Sequence, residues 1–273
     1  IYLYDGAHLS VIDQVFDARE IYGPEPVEMI VVPEDYSSIQ AAINAASPGQ
    51  MVFVRPGVYN ESVTMKTGVD VYGAGSESTY IQASGMIPGV TFENVTDCIL
   101  SGFSIQGYAG IKCSYINASD NVTIQGFTIR NSGWGWFKNG IYVNFADNCR
   151  IQNNYLIKNC HNIRLNNSKN SQVIRNVIKG NGYGIRFINT FNCTAAYNNV
   201  SECIGGVHLE NATDCIVQRN WFSGNDQGIR LYSPCVNNLI IENTVLNNTY
   251  DGMIEIMRKN TTLYKNVFYH NHI

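Results

Sequence analysis

The chain has 273 residues, a formal net charge of −4 and only 15% charged residues. That balance excludes a generic nucleic-acid binder, which would be basic overall. No apolar run approaches the ~18 residues that a membrane-spanning helix requires, and the length is ample for a buried core.

In chain order, residues 1–30 read as an N-terminal arm. Val11, Ile12, Val15 and Phe16 share one helix face, and Gly23–Pro26 breaks the chain behind them. With Ile1 and Leu3 they form an apolar patch that needs cover, so the arm is expected to pack on another copy of the chain. Residues 31–273 read as one domain. Ser37 or Ser38 can N-cap a helix near 38–46, whose Ile39, Ala42, Ile43 and Ala46 fall on one face. Met51–Ile81 follows as short strands with glycine-rich bends, and Thr91–Lys112 and Asn121–Asn131 as coils of irregular length. Ser132–Lys138 holds an insertion of about six residues relative to later units, with Trp134 and Trp136 in it. Insertions in repeat arrays emerge as loops on one face and often carry binding.

From Asn148 onward one pattern recurs six times. Asn154, Asn176, Asn198, Asn220, Asn243 and Asn266 are spaced 22, 22, 22, 23 and 23 residues apart. Two further columns keep step: Asn148, Asn170, Asn192, Asp214, Asn237, Asn260 and Asn159, Asn181, Cys203, Asn225, Asn248, Asn271. Between them recurs a Gly-apolar-x-apolar run, as in Gly184–Phe187, Gly206–Leu209 and Gly228–Leu231. A fixed period of this size marks a solenoid. The short β-branched runs mark its elements as strands, three to a coil. Asparagine suits the corners because it tolerates left-handed backbone, and its stacked amides can bond the rung above.

These repeats, with the segment Val32–Ala46, Pro48–Gly49 and Val54–Glu61, resemble the right-handed parallel β-helix of the pectin-lyase-like superfamily. The chain is most similar to its NosD-like, carbohydrate-binding and sugar-hydrolysis repeats. The resemblance implies an all-β, single-stranded right-handed parallel β-helix in which the 38–46 helix plugs the N-terminal end. It also implies an extracellular or cell-surface setting, by analogy with archaeal surface proteins. The superfamily's fold leaves the activity open.

Strand alternation assigns the outward faces. One column reads Lys112, Tyr142, Arg164, Arg186, His208, Arg230, Glu255; the next includes Asn144, Asn166, Ile188, Glu210 and Tyr232. Stacked like charges repel, which leaves two readings. One is a solvated ion-pair ladder. The other is a glycan-binding groove of Trp134, Trp136, Tyr142, Arg164, Arg186, His208, Glu210 and Arg230. Its guanidinium forks suit carboxylates and its rings suit sugars. Were the groove catalytic, Arg186 or Arg230 would neutralise a uronate, with His208 and Tyr232 as base and acid of a polysaccharide lyase. The paired aspartates and Gly-His-Gly of polygalacturonases, the Gly-Asp-x-Asp-Phe type motif of pectin methylesterases and the calcium aspartates of pectate lyases have no counterpart. The expectation is therefore a non-catalytic protein that binds acidic polysaccharide, associates with itself through the arm and an open last coil, or does both. No cofactor or metal site is expected. The NosD resemblance suggests copper, but no Met/His cluster supports it.

Ten Asn-x-Ser/Thr sequons occur, with Asn60, Asn94, Asn117, Asn211 and Asn247 as the glycosylation candidates. Cys98, Cys149, Cys193 and Cys215 share one repeat position and read as core. Cys160, Cys203 and Cys235 fall near turns and read as exposed thiols or links between chains.

Overall fold

The computed structural model describes residues 29–84, 87–106, 109–114, 121–133, 139–255 and 258–271. Residues 1–28 of the arm, Asn117, Trp134 and Trp136 lie outside them. The described chain winds into a right-handed parallel β-helix. An 11-stranded and a 16-stranded sheet run along its axis, with a two-stranded sheet of Cys235–Val236 and Arg258–Lys259 beside them. The first strand, Met29–Val32, precedes the cap helix and pairs in parallel with Met51–Val54. Sequence patterning had not marked it as a strand.

The cap helix runs Ile39–Ala45 and buries Ile39, Ala42 and Ile43 over the first coil. The Ser38 side chain accepts a hydrogen bond from the Ala41 N–H. The remaining free donors at this end find a carboxylate: Glu61 accepts from the Ile39 and Gln40 N–H groups at 2.9 Å each.

Each rung sends alternate residues inward. Ile151, Val173, Ala195, Val217 and Ile240 form one fully buried column; Leu156, Ile178, Val200, Phe222 and Val245 form another. The Gly-apolar-x-apolar run supplies two more, Ile163–Ile185–Val207–Ile229 and Leu165–Phe187–Leu209–Leu231. Its glycines are needed for space. A Cβ on Gly206 would lie 2.4 Å from the Gly228 carbonyl oxygen, and one on Gly228 would lie 2.4 Å from that of Gly252. Gly206→Ala is therefore expected to lower unfolding stability by about 1–3 kcal/mol through overpacking, readable in urea titrations. A neutral effect would mean that the rungs have slack.

The asparagine columns divide the two tasks. The first takes left-handed backbone: Asn148, Asn170, Asn192, Asp214, Asn237 and Asn260 have φ between 51° and 55°. In the middle column the left-handed residue is the preceding one (Asn153, Arg175, Tyr197, Arg219, Glu242, Lys265). The buried asparagine behind it bonds along the axis. Asn154, Asn176, Asn198 and Asn220 each donate Nδ2 to the next Oδ1 at 2.9–3.0 Å. The third column builds a second ladder, in which Cys203, Asn225 and Asn248 donate backbone N–H to Asn225, Asn248 and Asn271 Oδ1.

The cysteines follow the core more closely than the turns do. Cys98, Cys149, Cys193 and Cys215 are buried in one column as expected. Cys203 and Cys235 are also buried, at 2% and 0% exposure, which corrects their reading as exposed thiols. Both sit on corner residues whose side chains turn inward. Cys160 alone of the three is half-buried.

Candidate functional site

Three rows of side chains meet on one face of the solenoid. Strand register sets Tyr142, Arg164, Arg186, His208 and Arg230 side by side on successive rungs, about 4.8 Å apart. Beside them run Asn144, Asn166, Ile188, Glu210 and Tyr232 in the same register. A third row, Asn139, His161, Tyr183, Gly205, Gln227 and Asp251, enters from the upstream side.

The rows interlock through rings. His161 stacks on Tyr183 at 5.5 Å, Tyr183 lies 5.7 Å from His208, and His208 meets the edge of Tyr232 at 6.4 Å. Gly205 makes this passage possible, because a Cβ there would lie 3.2 Å from the Tyr183 ring. The guanidinium groups lie over the rings: Arg164 over Tyr142 at 5.3 Å, Arg186 over Tyr183 at 4.7 Å and Arg230 over Tyr232 at 5.2 Å. Arg186 donates to Glu210 at 3.1 Å, and Arg230 reaches Gln227 at 3.5 Å.

Both imidazoles are covered, with 4% of His161 and 5% of His208 exposed. Burial, reinforced by the neighbouring guanidinium charges, holds them neutral. The pKa of His161 is pushed down to about 4, after burial by Arg186 and Arg164. That of His208 is pushed down to about 3, after burial by Arg186, Arg230 and His161.

Ten buried polar side-chain atoms lack a hydrogen-bond partner among the described residues, and seven of them belong to this face. They are Asn139 Oδ1, His161 Nδ1, Arg164 Nε, Arg186 Nε, both ring nitrogens of His208, and Arg230 Nε. Buried polar groups are nearly always satisfied, and each orphan costs about 1–3 kcal/mol. Their concentration on one face distinguishes it from the rest of the solenoid.

The two neutral imidazoles give stability a pH dependence. The unfolded chain has histidines near 6.5, while the folded chain releases their protons down to about 4 and about 3. The folded state binds fewer protons in that window, so stability is full above about 6.5 and declines as the pH falls. The urea midpoint is expected to drop steadily from pH ~6.5 toward ~4, with a shallower decline in His208→Gln. An unchanged midpoint across that range would mean that the imidazoles are not held neutral by the fold.

Tyr142, Arg164, Arg186, His208, Glu210 and Arg230 thus share one face, and the lyase set of His208, Tyr232, Arg186 and Arg230 comes together within it. Trp134 and Trp136 lie outside the described residues. Glu255 does not continue the column. It pairs with Leu231, and Ile254 stands beside Arg230: the column set Glu255 25 residues after Arg230, whereas this rung has 24. His161 and Tyr183 were missed. Each lies three residues before an arginine, a repeat signal that could have found them, but alternation assigns that phase inward. Their rings nevertheless lie beside the arginine row, with His161 stacked on Tyr183 and Arg186 over the Tyr183 ring. Of the glycosylation candidates, Asn60, Asn94, Asn211 and Asn247 are exposed.

Comparison with known proteins gives the following. A model of the family described as periplasmic copper-binding protein (NosD) matches residues 71–251. No curated protein sequence matches. Among solved structures, the fold resembles that of PfbA, a surface adhesin of Streptococcus pneumoniae (TM-score 0.67, 15% identity, 90% of this chain and 79% of that one). It also resembles a hyperthermoactive exopolygalacturonase from Thermotoga maritima (0.66, 11%, 79% and 70%) and a polygalacturonase from Erwinia carotovora (0.63, 13%, 88% and 94%). At these identities the likeness concerns the fold.

The residues of this face do not fit a copper ion. No three His, Cys, Asp or Glu side chains among the described residues are close enough to hold a metal. The two histidines are separated by the Tyr183 ring and flanked by guanidinium cations, which oppose a metal cation. Among the described residues, no helix is long and apolar enough to cross a membrane.

Proposed function

Since the chain belongs to the NosD family, whose description is periplasmic, we propose that it is an exported β-helix protein that binds an acidic polysaccharide along the Arg164–Arg230 face. One observation carries this reading: seven buried polar atoms without partners lie on this face, and three of them are the Nε donors of Arg164, Arg186 and Arg230. Carboxylates would satisfy those donors in pairs. The Tyr142, Tyr183 and Tyr232 rings offer flat apolar area to sugar faces. Fold neighbours with polysaccharide-degrading and adhesin names are compatible with a glycan as the ligand.

Binding without turnover is the preferred form of this proposal. Hydrolysis requires two carboxylates flanking the scissile bond. Here Glu210 is engaged by Arg186, and Asp251 lies two rungs further on in a different row. A second reading, an eliminating lyase, is favoured by His208. It is a neutral imidazole with both nitrogens unpartnered, set between Arg186 and Arg230.

Calorimetry with uronate oligosaccharides and neutral ones of equal length tests the proposal. Acidic oligosaccharides should bind at low salt and weaken as salt rises, while neutral ones should not register. Equal behaviour of the two sets would remove the proposal. Absorbance of an unsaturated product, abolished in His208→Ala, would replace simple binding with the lyase reading.

A further inference from the structure

The charges on this face are unevenly matched, and this bears on which acidic glycan fits. Of the three arginines, Arg186 is paired with Glu210 at 3.1 Å. Arg164 and Arg230 have no carboxylate partner among the described residues; their contacts are the Tyr142 ring, the Tyr232 ring and Gln227. The register separates them by three rungs, with Arg186 and His208 between. At about 4.8 Å per rung the two free cations stand roughly 14 Å apart. The stretch between them presents the Tyr183 ring, an uncharged imidazole and the Glu210 carboxylate, a surface for hydroxyl groups. A second carboxylate on a ligand over that stretch would face Glu210.

Resting on the reading that the face binds acidic polysaccharide, we propose that it selects a heteropolysaccharide whose carboxylates recur about three sugars apart, with neutral sugars between. The groups that would contact the ligand are stacked along the solenoid axis, so the chain runs along it. One sugar of an extended glycan advances by about one strand spacing. Acid groups then fall on Arg164 and Arg230, and neutral sugars pass over Tyr183 and His208, with hydroxyls donating to Glu210.

The test uses two tetrasaccharides in calorimetry with the full chain: one uronate at every position, and one with uronates only at its two ends and neutral hexoses between. The end-charged compound should bind at least tenfold more tightly. Glu210→Gln, which frees Arg186 and removes the opposing carboxylate, should narrow or reverse that ratio. Circular dichroism checks that the variant is folded, and Glu210→Ala serves in its place if it is not. If the all-uronate compound binds as tightly or more tightly to the wild type, the spacing inference fails while acidic-glycan binding stands. If neither compound binds, both fail.

Discussion

Replacing Asn198 with alanine is expected to destabilise the protein by about 3 kcal/mol, more than any single surface change. Asn198 is 1% exposed and spends all of its amide on the ladder. Its Oδ1 accepts from the Asn176 backbone N–H at 2.9 Å and from Asn176 Nδ2 at 3.0 Å. Its Nδ2 donates to the Val173 carbonyl and to Asn220 Oδ1, each at 2.9 Å. Alanine leaves the Asn176 N–H and the Val173 carbonyl short of a partner and opens a small cavity between rungs. Asn198→Asp should be worse at neutral pH, because a carboxylate would face Asn220 Oδ1 and the Val173 carbonyl instead of donating to them. It should recover in part as the pH falls and the carboxyl regains a donor. Asn199→Ala, one residue on and exposed, should stay within about 0.5 kcal/mol. Urea unfolding of the three variants decides the matter. An Asn198→Ala cost equal to that of Asn199→Ala would mean that the ladder adds nothing.

Removing Arg164 and Arg230 together should abolish binding of an acidic glycan. A hydrogen bond to a charged group contributes about 1.5–3 kcal/mol, so each guanidinium accounts for tenfold or more and the pair for at least a hundredfold. Both side chains are half-buried at the surface, and each packs on a tyrosine ring, so the double alanine variant should fold with little loss. Arg→Lys at the same positions keeps the charge but not the fork, and should restore only part of the affinity. Calorimetry against one uronate oligosaccharide separates these outcomes. Full affinity in the double variant would show that the glycan, if bound, sits elsewhere.

Much of this was legible in the sequence because a repeat of fixed length amplifies each signal. Three asparagine columns in phase over six units gave the solenoid, and the Ser38-capped apolar face gave the plug. The same phase lined up Arg164, Arg186, His208 and Arg230 on one strand face. What was lost was lost at departures from regularity. His161 and Tyr183 fall on the inward phase of simple alternation, so neither was named among the outward columns. The column allowed 25 residues from Arg230 to its neighbour on the next rung, where the register has 24, so Glu255 fell one place out. Corner positions carry buried side chains as readily as exposed ones, which is why Cys203 and Cys235 were misjudged. The burial that leaves His208 unpartnered arises from rings on neighbouring rungs, 22 or more residues away in sequence, and no local pattern announces it.

The ladder also tells where this architecture can change. Asn220 and Asn243 are 23 residues apart, yet their amides meet at 3.0 Å, as closely as pairs separated by 22. The extra residue is absorbed between Tyr232 and Val236, where the register passes from 22 to 23. Another is absorbed between Asn248 and Asp251, where it passes from 23 to 24. The clamped asparagines isolate each corner from the next, so length added at those two corners leaves the rungs on either side in place. These corners are natural entry points for grafted segments: a lobe inserted there would be carried on the outside of the coil at little cost to the stack.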